Sequence, residues 1–130
     1  MRKVKFRAWN KKNKRWIPSY NLIINDQGKL CCCYSDKNFG EWAIDYEINQ
    51  YTGLKDKNGV EIFEGDIVKH FDLDTPMFVH EVEYRNGGFG YIVDKGKPYQ
   101  EFISYANHKY LKPSIDCEVI GNLYENPELL

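Results

Sequence analysis

At 130 residues the chain has the size of one domain, and its 42% hydrophobic, 28% charged and 15% aromatic residues are those of a folded protein, which excludes disorder. A net charge of −1 gives the molecule as a whole no electrostatic attraction to nucleic acid or to an anionic membrane. No run approaches the roughly 18 to 20 apolar residues of a membrane span, and the charged opening Met1-Arg2-Lys3 has no apolar stretch behind it, so it does not read as a secretory signal.

In chain order, Val4, Phe6 and Ala8 alternate with Lys3, Lys5 and Arg7, the period of a half-buried strand. A polar loop follows over 10–14, and Trp16-Ile17 restarts an apolar segment tempered by Pro18. Leu22 to Ile24 reads as a short strand ended by Asn25-Asp26-Gln27-Gly28, and Leu30 to Tyr34 as another, before the turn residues Ser35-Asp36-Lys37-Asn38. Residues 42–48 fit either a strand or a helical turn. Asn58-Gly59 between short apolar arms predicts a two-residue hairpin turn. Glu64-Gly65-Asp66 breaks the pattern, Ile67 to Phe71 resumes a strand, and Leu73 to Pro76 is a loop. Phe78, His80, Val82 and Tyr84 then share one face of a strand, with Val79, Glu81 and Glu83 on the other. Asn86-Gly87-Gly88 predicts a second hairpin, leading into Phe89 to Val93, and Lys95 to Pro98 is a turn. Residues 99–112 read as a short helix or an irregular strand, Cys117 to Leu123 as a late strand, and Asn126 to Leu130 as a terminal turn or tail. With no linker and no repeat, residues 1–130 form a single domain in this reading. Its class is all-β with at most one or two short helices: a small barrel-like or sandwich fold with elements of an SH3-like barrel.

The charge is unevenly placed. Arg2, Lys3, Lys5, Arg7, Lys11, Lys12, Lys14 and Arg15 all precede the first acid, Asp26, so a head of +8 within a total of −1 leaves −9 on the remainder. The simpler reading is self-complementarity, the basic edge pairing with acidic strands of its own fold or of a second copy. The sharper reading is a face for phosphate or an acidic protein. Trp9 and Trp16 lie among the same eight cations, and small barrels bind single strands by stacking in a basic groove. These ten residues are the candidate nucleic-acid-binding set.

Other chemistry finds little grammar. Cys31-Cys32-Cys33 are contiguous and Cys117 is distant; neighbours on a strand point to opposite faces, so they read as small hydrophobes in a reducing compartment. No Cys-x-x-Cys and no closely spaced histidine pair accompanies His70, His80 and His108, so no metal site is expected. Glu61, Glu64 and Asp66 cluster in sequence without a spacing that makes them converge. His80 shares a face with Phe78 and Val82, where a satisfied core histidine is the default. Gly87-Gly88-Phe89-Gly90 lacks the strand-to-helix setting of a phosphate cradle.

Three blocks resemble the YopX-like family of small bacterial phage and prophage proteins: Lys5-Phe6-Arg7-Ala8-Trp9; Gln50-Tyr51-Thr52-Gly53-Leu54-Lys55-Asp56 through Glu64-Gly65-Asp66-Ile67-Val68; and Val119-Ile120-Gly121-Asn122-Leu123-Tyr124 through Leu129. The chain departs from the family pattern in Asn10, where an Asp is common, and in Leu123, where an Ile is. The resemblance implies a mostly β, barrel-like protein of a mobile element, with no activity, cofactor or site residue to carry over. The expectation is a cytoplasmic protein of the bacterial host cell that is not an enzyme and takes no cofactor. It would act as an interaction or assembly module toward an unknown protein partner or a second copy of itself, with nucleic acid as the alternative partner and no membrane. Its recurrent glycines and acids read as turn residues: Gly53 and Gly59 supply positive φ, Asp66 caps a bend, and Gly121-Asn122 marks a bulge.

Overall fold

A computed structural model describes residues 3–17, 22–24, 26–27, 30–33, 46–70, 78–107 and 111–130. The expected turn at Ser35 to Asn38, the loop at Leu73 to Pro76 and residues 42–45 lie outside these. The chain divides into two compact units, Met1–Tyr51 and Thr52–Leu130, and the strand pairings whose register is described are antiparallel.

In the first unit, β1 (Phe6–Asn10) pairs on one side with β2 (Arg15–Ile17) and on the other with the start of β5 (Tyr46–Lys55). β3 (Leu22–Ile24) pairs with β4 (Leu30–Cys33) across a register shift. Ala8, Ile17 and Tyr46 form a small core with Leu22 and Ile48 packed on it. The described part of 42–48, Tyr46 to Ile48, is strand.

The second unit holds the rest of β5, then β6 (Glu61–Phe63), β7 (Asp66–His70), β8 (Phe78–Glu81), β9 (Glu83–Arg85), β10 (Gly88–Val93), β11 (Glu101–Ser104) and β12 (Cys117–Asn122). Two three-stranded sheets, β12-β7-β8 and β11-β10-β9, share one bent strand: β8 stops at Glu81 and β9 resumes at Glu83. Val82 sits at the bend, accepting from Gly65 N–H and donating to the Asp66 carbonyl. The bend carries the chain from one sheet into the next, so these antiparallel sheets curl in the manner expected of a barrel-like fold. It also corrects the expected alternation. Phe78, His80 and Val82 turn inward, but Tyr84 is 52% exposed and packs edge-on against Phe89, which flanks the core. The core is Ile62, Val68, Val82, Tyr91, Tyr105, Leu111 and Cys117, flanked by Leu54, Phe78 and Val119 among others.

Helix is confined to short turns among the described residues: 3-10 turns at Tyr105–Asn107 and Pro127–Leu129, and a single α turn, α1, at Pro113–Asp116. Residues 99–112 thus hold both readings in succession, strand β11 and then a 3-10 turn. No helix among the described residues is long and apolar enough to cross a membrane.

The two hairpins differ. Arg85 pairs with Gly88 across Asn86 and Gly87, both at positive φ, which is the two-residue turn expected. The Asn58-Gly59 turn is wider. Asp56 N–H donates to the Val60 carbonyl and Gly59 N–H to the Asp56 carbonyl, enclosing three residues with Gly59 at φ 80°. The reason is the Asp56 side chain, whose Oδ1 accepts from both Asn58 and Val60 N–H and holds the larger loop.

Candidate functional site

In the first unit, the β1–β2 connection gathers most of the candidate cations. Asn10, buried, turns its Oδ1 onto the N–H groups of Lys12 and Asn13, both at 3.0 Å, and Lys14 takes φ 52° to close the loop. A polar buried residue thus fixes a turn on which Lys11, Lys12, Lys14 and Arg15 are all exposed. Lys11 pairs with Glu47 on β5 at 3.3 Å. The indoles behind the turn are structurally engaged. Trp9 and Trp16 face each other across the β1–β2 register in an edge-on pair with centroids 5.0 Å apart, and Trp9 is only 7% exposed. The Arg7 guanidinium lies 4.2 Å over the Trp16 ring, with its Nε 3.4 Å from Asn49 Oδ1. Lys3 is exposed and Lys5 half-buried; Arg2 lies outside the described residues.

In the second unit, sequence reasoning placed His80 in the core but missed what it meets. His70, Phe78, His80, Tyr91 and Tyr105 form one ring cluster, with His80 stacked on Tyr91 at 4.2 Å. His80 Nε2 lies 2.6 Å from the Tyr105 hydroxyl. Burial, then the neighbouring His70, pushes the His80 imidazole down to about 3, so it is neutral at physiological pH. Burial holds the Tyr105 phenol well above its usual range and pushes the Cys117 thiol up to about 12. No sequence signal joins His80 to Tyr105, because the strand bend and the return of β10 and β11 bring them together.

Beside this cluster a cavity of about 380 Å³ is lined by Phe78, His80, Glu81, Ile92, Lys95 and Leu129, among others. A second, of about 550 Å³, flanks the β9–β10 turn next to Arg85, Gly88 and Ser104. The Glu61, Glu64 and Asp66 cluster does not converge on either. Asp66 is buried and its Oδ2 accepts from Phe63 N–H at 2.8 Å, the local cap expected of it. Among the described residues no group of three or more His, Cys, Asp or Glu side chains is placed to hold a metal ion.

The sequence pattern of the YopX protein family matches residues 5–130. The chain belongs to the YopX family. Protein EF1440 from Enterococcus faecalis, a solved structure, is similar over 100% of this chain and 99% of its own, at 30% identity and TM-score 0.67. Protein yopX from Bacillus subtilis shares the fold over the same extents at 21% identity and TM-score 0.61. No curated protein matches the chain.

The three YopX blocks have a structural reason to exist without a ligand. The first is β1; the second runs from β5 into β7; the third is β12 and the terminal turn. Asp56 Oδ2 reaches 63 residues along the chain to accept from Val119 N–H at 2.9 Å. Leu123 N–H donates to the Gly65 carbonyl, and Lys57 N–H to the Cys117 carbonyl. The second and third blocks are therefore stitched together by an acid and by backbone. The register slip between Val119 and Gly121 is the bulge expected at Gly121-Asn122. Asn126 Oδ1 fills the space a Cβ on Gly121 would need and accepts from Asn122 N–H.

Proposed function

We propose that this YopX-family protein is phage- or prophage-encoded, is not an enzyme, and works by binding, as an interaction or assembly module in the host cytoplasm whose contact point is the basic β1–β2 turn. The observation that carries this reading is the turn itself: four exposed cations on a loop held by the buried Asn10 side chain. The partner that charge specifies is an acidic one, and a second copy of the chain qualifies, with −9 outside its first sixteen residues against a total of −1. The interior supports binding over catalysis. His80, Tyr105 and Cys117 are each pushed away from neutral pH, in the direction that silences a general base or nucleophile.

Nucleic acid is the second reading, favoured by the same exposed cations. The burial of Trp9 and the Arg7 cover on Trp16 argue for phosphate contact rather than base stacking. Light scattering and oligonucleotide anisotropy at about 50 and about 200 mM salt separate the two, since duplex contact through about three cations would weaken roughly forty-fold over that range. For self-association, the mass exceeds the 15.4 kDa monomer at low salt and returns to it in the variant K12E/K14E/R15E, which stays folded. A wild type that is monomeric at every salt and ignores the oligonucleotide removes both readings.

A further inference from the structure

We propose that the cavity beside β8 and β10 binds an alkylammonium group, its carbon stem on Phe78, Ile92 and Leu129 and its charged head at the Glu81 carboxylate. This site belongs to the second unit and shares no residue with the basic turn, so either can fail without the other. At about 380 Å³ the cavity is of the size that takes small ligands. Its apolar lining selects a hydrocarbon stem.

The head is selected by an acid that is only loosely compensated. Glu81 lines the cavity with its side chain 17% exposed, and its ion pair among the described residues, to Lys95 Nζ, is 3.8 Å long. That ammonium lies closer to Glu83, at 3.4 Å, and Glu83 is also met by Arg85 at 3.3 Å. Asp94, on the same rim, is taken by Lys97 at 3.1 Å. Of the three acids lining the cavity Glu81 has the longest ion-pair contact, and desolvation, the largest influence on it, raises its pKa against the opposing pull of Lys95 and Arg85. A cation arriving from the cavity would relieve that. His80 lines the same cavity, yet burial keeps it neutral, so it does not repel a positive head. Lys95, itself an ammonium on a carbon stem, shows the kind of group the rim accepts.

Two sources share this chemistry, a free amine and a lysine side chain of a partner. Amide NMR shifts of Val79 to Glu81 and Ile92 would be followed while titrating hexylamine, hexanol, hexanoate and Nα-acetyl-lysinamide. Hexylamine should bind about fivefold more tightly than hexanol and hexanoate, the increment of one partly buried ion pair. Glu81→Gln should remove that advantage, leaving hexanol unchanged, whereas Lys95→Met, which deletes the resident ammonium, should tighten hexylamine. Preference for the lysinamide would identify a partner lysine, and preference for hexylamine a free amine. Equal binding of hexylamine, hexanol and hexanoate to the wild type overturns the proposal, as does an unchanged hexylamine titration in folded Glu81→Gln.

Discussion

Asp56→Asn should destabilise the protein far more than an isosteric change in a turn ordinarily does. The wild-type carboxylate is 3% exposed and accepts three backbone N–H groups, from Asn58 at 2.8 Å and from Val60 and Val119 at 2.9 Å each. An asparagine can keep its oxygen on Asn58 and Val60, but its NH2 then faces the N–H of Val119, donor against donor. One part-buried amide is left unsatisfied, at about 1 to 3 kcal/mol, and the two remaining bonds lose their charge assistance. The sum is about 3 kcal/mol, a large share of the roughly 5 to 15 kcal/mol of an ordinary domain. Urea unfolding followed by far-UV circular dichroism would show it as a midpoint lowered by about 1.5 M, taking m as about 2 kcal/mol/M. The control is Asp94→Asn. That acid is exposed at φ 54°, pairs with the exposed Lys97 at 3.1 Å, and should move stability by less than about 0.5 kcal/mol. If the two variants unfold at the same urea concentration, Asp56 is not what joins the hairpin to β12.

Gly90→Ala should prevent folding or cost more than about 3 kcal/mol, because a Cβ there would lie 2.0 Å from the Ile103 carbonyl oxygen of β11. Soluble expression and thermal unfolding at wild-type levels would refute that packing. For His80, the folded pKa lies near 3 against 6.5 unfolded, so the unfolded chain binds the extra proton between those values. Its contribution is fully present above pH 6.5 and is lost as pH falls toward 3; between pH 7.5 and 5 the wild type should lose about 1 to 2 kcal/mol through this group. His80→Gln, measured by urea unfolding at both pH values, should lose correspondingly less, and an identical loss in both proteins would remove His80 as the cause.

What was legible in the sequence was local. Asn86-Gly87 announces its two-residue turn because φ and ψ there depend on those two residues and their immediate neighbours. The strand character of β1 and β8 follows from apolar alternation over a few positions, while β7, β10 and β12 are short apolar runs between turn residues. The family blocks could likewise be recognised as strings without knowing what their residues touch. Tertiary packing decided the rest, since it depends on partners the string does not mark. The Asn58-Gly59 turn widened because Asp56 holds Asn58 and Val60, and the same side chain reaches Val119, far along the chain. Tyr84 left the inward face because the strand bends at Val82 to serve two sheets. Trp9, a candidate for stacking on a base, is instead buried against Trp16 across a two-strand register. His80 meets Tyr105, and Glu81 its cavity, only once β8, β10 and the turns after them close on one another. Turns and pleats are chosen within a few bonds; burial, and with it the charge state of a histidine or carboxylate, is chosen by whatever the rest of the chain lays on top.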